Sequence, residues 1–140
     1  MFLRYLGLDL GTKTLGLALS DELGMIATSY KILHHNEDYE SLIPQVMEEI
    51  KLKNVKELVL GLPKNMNNSI GERGEICLQF QKMLESATNL PVHMQDERLT
   101  TRQAESLLIS NNTSRKKRKK VIDSLAATII LQSYLDRRER

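Results

Sequence analysis

The first third of the chain alternates between short apolar runs and tight polar breaks. Leu3 to Leu10 (LRYLGLDL) ends at Gly11, and Leu15 to Leu19 (LGLAL) follows a Gly-Thr-Lys-Thr turn. Met25 to Leu33 (MIATSYKIL) is entered through Gly24. Runs of this length read as strands, and the short breaks between them predict an antiparallel meander. From Asp38 the period lengthens. Leu42, Ile43, Val46, Met47 and Ile50 recur at helical spacing with polar residues between them. Lys56 to Leu60 (KELVL) predicts a fourth strand, stopped by Gly61-Leu62-Pro63. The polar stretch from Lys64 to Gly74 reads as a loop. Ile76, Phe80, Met83, Leu84 and Ala87 mark a second helix, and Pro91 to Gln95 a fifth strand. Thr100 or Thr101 is placed to cap a helix running to about Ile109. Asn111 to Lys120 reads as a polar and then basic linker. Val121 to about Leu135 is the last helix, with Ile122, Leu125, Ala126, Ile129 and Ile130 on its inner face.

The predicted order is therefore three hairpin-connected strands, then helix, strand, helix, strand and two helices. This implies an α/β fold: a five-stranded mixed sheet whose three N-terminal strands are antiparallel, with helices packed on it. At 140 residues the chain is expected to form one domain, 1–140, around a single core.

Composition changes this picture little. Apolar residues make up 41% and charged residues 27%, ordinary globular usage. No apolar run approaches the roughly 18–20 residues needed to span a bilayer. The N-terminal MFLRYLGLDLG is too short in apolar stretch for a signal peptide, and Asp9 interrupts it. A lone cysteine, Cys77, can build neither a disulfide framework nor a thiolate metal cage. The cytoplasm is the expected compartment, with no membrane partner.

Charge distribution says more than the net value of +2. Arg115, Lys116, Lys117, Arg118, Lys119 and Lys120 form one run holding six of the 20 basic residues, which leaves 14 basic against 18 acidic elsewhere. A mildly acidic body carrying one concentrated cationic segment suits a polyanion touched at one place. Such a run specifies attraction to phosphates, not sequence readout.

The candidate chemistry is carboxylate chemistry. Asp9 lies inside the first apolar strand, where a charge costs several kcal/mol unless it is paired or bound to a cation. Asp96-Glu97-Arg98 gives a second acidic point at the end of the fifth strand. Asp123 gives a third, at the expected start of the last helix, where the helix dipole and the basic run favour its ionised form. Three carboxylates converging on one spot repel one another, and a divalent cation relieves that repulsion. Mg²⁺ or Mn²⁺ suits such hard oxygen ligands shared with substrate phosphates, and paired ions can drive in-line phosphodiester hydrolysis. Spacing leaves open which of Asp96 and Glu97 faces the ions, since adjacent strand residues point to opposite faces. Lys64, Arg73 and the glycines around them follow the fourth strand, where ligands commonly sit in such sheets. His34-His35 has no partner spacing for zinc. His93 reads as a satisfied strand histidine, and Cys77 as packing.

Four segments together resemble a known family. Asp9-Leu10-Gly11-Thr12-Lys13-Thr14-Leu15-Gly16-Leu17-Ala18-Leu19-Ser20-Asp21, Gly61-Leu62-Pro63, Asp96-Glu97-Arg98-Leu99-Thr100-Thr101 and Asp123-Ser124-Leu125-Ala126-Ala127 resemble, in order, the YqgF (RuvX) family. Its members are Holliday junction resolvases, also described as pre-16S rRNA processing nucleases. The resemblance implies an RNase H-like fold and a metal-dependent nuclease whose catalytic, metal-binding carboxylates are Asp9, Glu97 and Asp123. It selects Glu97 over Asp96. It also implies a nucleic-acid partner, branched DNA or precursor rRNA, and Lys13, Lys64, Arg73, Arg98 and the 115–120 run are the basic residues expected to hold its backbone. An arginine common after the lysine of the first motif is here Thr14. Symmetric resolution of a junction requires a homodimer, whereas trimming an RNA end requires only a monomer. Two other readings attach to the same residues. One is a non-catalytic nucleic-acid-binding module. The other is a relative of actin-like ATPases, whose first phosphate loop Asp9-Leu10-Gly11-Thr12 resembles, although no second such loop is present.

Overall fold

Strands at Arg4–Leu10, Thr14–Ser20 and Val55–Leu62 each carry a row of leucines on one face, and helices cover both faces of the sheet they form. The computed structural model describes residues 4–65, 67–97 and 115–138, with 115–124 described by backbone alone. Strands β1 (Arg4–Leu10), β2 (Thr14–Ser20) and β3 (Ala27–His34) form the antiparallel meander. A 3₁₀ turn (Tyr39–Ser41), unsignalled by the apolar period, leads into α1 (Leu42–Lys53). Then come β4 (Val55–Leu62), α2 (Glu72–Thr88), β5 (Val92–Asp96) and α3 (Arg115–Arg138). The five strands lie in the order β3-β2-β1-β4-β5, with β4 parallel to β1 and β5 parallel to β4. The mixed sheet expected from the sequence is the one formed.

Leu6, Leu8 and Leu10 of β1 point to one face and meet Leu15, Leu17, Leu58, Leu60 and Leu62 from the neighbouring strands. Leu42 and Val46 of α1 and Cys77, Phe80 and Leu84 of α2 close this core. The opposite face carries Tyr5, Ala18, Ala27 and Val59, and α3 covers it with Ala127, Ile130, Leu131 and Leu135. Small residues let α3 lie close to the sheet. A Cβ built on Gly7 would sit 2.7 Å from Leu131 Cβ and 3.0 Å from the Ala127 carbonyl. Asn54 and Asn89 end α1 and α2 in the left-handed conformation, at φ 56° and 58°, which asparagine adopts more readily than most residues.

The boundaries differ from the sequence reading at three places. The basic run 115–120 is not a linker but the first two turns of α3. Lysine and arginine are good helix formers, and nothing in the run breaks a helix. Asp123 is consequently the ninth residue of α3 rather than its start, and the dipole argument for it lapses because that effect fades after the first turn. Third, β4 continues through Gly61 to Leu62, and α2 begins at Glu72, inside the stretch expected to be loop. Gly61 is a strand residue over which a neighbour must pack, not a chain reversal. The helix expected over 100–109 lies outside the described residues.

Candidate active site

Asp9 is placed by β1, the central strand, one residue before its C-terminal end. Alternation puts it on the face covered by α3, with Tyr5 and Gly7. Its partner across β2 is Gly16, and the parallel register runs Gly7 to Val59 and Leu8 to Leu60. Gly61 is therefore the next position beside it on β4. With glycine on either side, the strands flanking the half-buried Asp9 place no side chain of their own beside it at that level.

Glu97 follows β5 by one residue, and its N–H donates to the Leu62 carbonyl at 3.2 Å, extending the β4–β5 ladder. Its carboxylate lies over Gly61. A Cβ on that glycine would overlap Glu97 Oε2 and come within 2.6 Å of Ile130 Cδ1. Asp96 pairs with Leu62, whose side chain enters the core on the other face. Geometry thus separates the two acidic neighbours left open by spacing, since Glu97 and not Asp96 shares a face with Asp9. Burial pushes the Glu97 carboxyl up from 4.5 to about 8; the Asp9 charge adds to the shift, Arg73 opposes it, and Asp96 raises it further. A carboxyl held by desolvation and a like-charged neighbour is a common signature of functional sites.

The turn after Asp9 is braced from two directions. Gly11 N–H donates to the Thr14 carbonyl at 2.8 Å. His35 Nε2 lies 3.0 Å from the Gly11 carbonyl and 3.3 Å from that of Thr14. Its Nδ1 accepts from the Glu37 N–H at 3.0 Å, so the ring's remaining proton is on Nε2, where it donates. Arg73 of α2 donates from Nη2 to the Leu10 carbonyl at 2.9 Å and from Nη1 to the Tyr39 hydroxyl at 3.2 Å. Neither His35 nor Tyr39 is signalled by the sequence as part of the site. Only a loop histidine with an aromatic residue four positions later hints at them, and the two rings pack with centroids 5.2 Å apart.

Lys13 is exposed in the turn after Asp9, and Lys64 is half-buried just past β4. Residues 115–120 are helical, with side chains outside the described set, as is that of Asp123. Arg98 also lies outside the described residues. Among the described residues no three His, Cys, Asp or Glu side chains gather as a metal-binding group; what is gathered is the Asp9–Glu97 pair. Gln95 adds an acceptor on the same face of β5: its Oε1 is buried with no hydrogen-bond partner among the described residues.

Two other residues are accounted for. Cys77 is fully buried, and burial, with the Glu97 charge next, pushes its thiol up to about 12, so it is packing. His93 bonds Glu57 Oε1 at 2.6 Å through Nε2 and stacks on Tyr134, so it too is satisfied. Among the described residues no helix is long and apolar enough to cross a membrane.

Comparisons with known proteins give the family and the fold. The family model described as RuvX, Holliday junction resolvase, matches residues 3–137. A Bacillus subtilis protein named "putative pre-16S rRNA nuclease" is 53% identical over 137 residues, covering 96% of this chain and 98% of its own length. A Bacillus cereus protein of the same name is 51% identical, covering 97% and 100%. Among solved structures, Thermus thermophilus RuvC in complex with a Holliday junction substrate matches with a TM-score of 0.58, at 15% identity and covering 97% of this chain and 96% of RuvC. That likeness shows the shared RNase H-like fold. With a family model spanning all but the chain ends and relatives half identical over nearly their whole length, this chain belongs to the RuvX family of Holliday junction resolvases.

Proposed function

We propose that the chain is a metal-dependent nuclease that hydrolyses phosphodiester bonds of structured nucleic acid, with Asp9, Glu97 and Asp123 as its metal-binding carboxylates. The observation that carries the reading is the Asp9–Glu97 pair: two carboxylates on one face, the second pushed to about 8 by burial and by the first. Mg²⁺ or Mn²⁺ suits this all-oxygen donor set, and the orphaned Gln95 Oε1 offers an acceptor for a proton of the ion's water shell. When bound, such an ion supplies an activated water and charge for the leaving oxygen.

Backbone placement supports Asp123 as the third member. α3 runs antiparallel to β1, with Tyr134 beside Tyr5 and Leu131 and Ala127 beside Gly7. From Gly7 to Asp9 a strand advances about 6.6 Å, which a helix covers in about four residues. Four residues before Ala127 is Asp123. The first two turns of α3 carry Arg115 to Lys120 beyond that point, where they would meet the substrate backbone. Exposed Lys13, with Lys64, would flank the same edge, and Arg98 is assigned to the substrate backbone from its sequence position alone.

The substrate is precursor rRNA, as the names of the half-identical relatives suggest, or branched DNA, as the family description suggests. In either case the enzyme acts in the cytoplasm, as a monomer trimming one strand or as a homodimer cutting a junction symmetrically. The test is a panel of four-way junction, duplex, single-strand and precursor 16S rRNA substrates with and without Mn²⁺. Cleavage should depend on the ion, and Asp9→Asn and Glu97→Gln should abolish it. Equal cutting by wild type and either variant, or ion-stimulated binding without cleavage of any substrate, would remove the assignment.

A further inference from the structure

Two successive carbonyls directly after Asp9, those of Leu10 and Gly11, are held by side chains from outside β1 and β2. Arg73 Nη2 takes the first at 2.9 Å and His35 Nε2 the second at 3.0 Å. The two holders are themselves joined. The Tyr39 hydroxyl accepts from Arg73 Nη1 at 3.2 Å, and the Tyr39 ring packs on that of His35. The Glu37 N–H on His35 Nδ1 keeps the donor end of the ring towards the turn. Arg73 is half-buried in this arrangement, with each Nη engaged inside the protein. Lys13, by contrast, is exposed on the same turn.

We infer that Arg73, braced by Tyr39 and His35, is a positioning residue that fixes the end of β1 so that the Asp9 carboxylate faces Glu97, and is not a contact to the substrate backbone. The guanidinium suits this work because its planar fork reaches two acceptors in fixed directions, which an ammonium cannot reproduce. Freed of these anchors, the Leu10–Thr14 turn keeps, among the described residues and besides the strand ladders at its two ends, its own Gly11–Thr14 hydrogen bond and the Lys13 carbonyl's bond from His35 N–H. The inference rests on the reading of Asp9 and Glu97 as metal ligands, but it is testable without any ion.

Three measurements on full-length Arg73→Gln, Arg73→Lys and Tyr39→Phe separate the roles. Amide hydrogen exchange at residues 9–11 reads the brace directly. Mn²⁺ titration by calorimetry reads its effect on the carboxylates. The salt dependence of substrate binding, in Ca²⁺ to suppress turnover, reads phosphate contact. Both Arg73 variants should speed exchange at these amides at least tenfold and weaken Mn²⁺ binding by about the same factor. Tyr39→Phe keeps the Arg73 charge and should show the same pattern at about a third of the size on a logarithmic scale. The log K against log[salt] slope should stay at the wild-type value in all three. His35→Gln, which restores a donor, should stay closer to wild type than His35→Ala. Wild-type exchange in Arg73→Gln overturns the brace. A slope shallower by about 0.9 on duplex DNA, with Mn²⁺ affinity intact, would make Arg73 a phosphate contact. A wild-type protein with no Mn²⁺ affinity removes the metal reading and the positioning role with it.

Discussion

Gly7 and Gly61 present nearly the same crowding to an added methyl, yet replacing each by alanine should do different things. At Gly7 the new Cβ meets Leu131 Cβ at 2.7 Å and the Ala127 carbonyl at 3.0 Å. Carbon atoms pack comfortably at about 3.5–4.0 Å, so roughly 1 Å of separation must be found. Both obstacles are fixed to the axis of α3, which has to lift from the sheet. Overpacking of this kind costs about 1–3 kcal/mol, and alanine returns about 0.4–1 kcal/mol by restricting the unfolded chain. Neither glycine has a positive φ, so that return applies at both. Gly7→Ala should therefore destabilise by about 1–2 kcal/mol, roughly 3–10 °C in Tm at this size.

At Gly61 the obstacles are the far ends of two side chains, Glu97 Oε2 and Ile130 Cδ1. They can rotate away, and the net change in stability should lie within about 1 kcal/mol of zero. The displaced Glu97 carboxylate then no longer faces Asp9. A misplacement of about 1 Å can cost about a hundredfold in catalysis. Urea unfolding monitored by circular dichroism, with midpoint and slope fitted together, and Mn²⁺ titration of the same samples decide the matter. Gly7→Ala should lose stability before metal affinity, and Gly61→Ala metal affinity before stability. If Gly61→Ala binds Mn²⁺ like wild type, or unfolds as early as Gly7→Ala, the reasoning is wrong.

Two further predictions concern charge. Glu97 ionises near 8 in the folded protein, against 4.5 when its carboxyl stands in water. The folded state therefore keeps a proton that the unfolded chain gives up as pH rises through 4.5. The ion-free protein should lose on the order of a few kcal/mol between about pH 4.5 and pH 8, Mn²⁺ should restore it at pH 7–8, and Glu97→Gln should flatten the profile. Urea midpoints in EDTA across this range check it, and a flat wild-type profile would contradict the assignment. Replacing Arg115, Lys116, Lys117, Arg118, Lys119 and Lys120 by glutamine should make the log K against log[salt] slope shallower by about 0.9 for each duplex phosphate that is no longer neutralised. It should not lower Tm, because cations at a helix N-terminus oppose the dipole. An unchanged slope in fluorescence anisotropy would show that the run does not touch the substrate.

What the sequence could and could not disclose follows from the range of each interaction. The meander and the alternating strands are legible because burial on two faces imposes its period directly on Leu6, Leu8, Leu10, Leu15 and Leu17. Asp9 is legible for the converse reason, as a charge where that period demands none. The choice between Asp96 and Glu97 is not, because it depends on parallel pairing of β5 with β4, whose partners stand 34 residues apart in the chain. Gly61 reads as a stop because glycine at a strand end and glycine beneath a carboxylate look identical in one dimension. The start of α3 is hidden because a run of cations has no apolar period, although its residues favour a helix. His35 acts through backbone carbonyls of another segment and Tyr39 through Arg73 and the His35 ring, partnerships that leave no mark on composition.

The packing of α3 on one face of the sheet has a consequence for how the protein is made. Tyr5, Ala18, Ala27 and Val59 face α3, the last described segment to leave the ribosome. Until it is synthesised, the meander, β4 and β5 lack the cover that α3 gives this face, the one that carries Asp9 and Glu97. Domains complete their cores as their chains become available. A nascent copy would thus hold its carboxylate face unfinished until α3 has been made, and would become competent to cut nucleic acid only then.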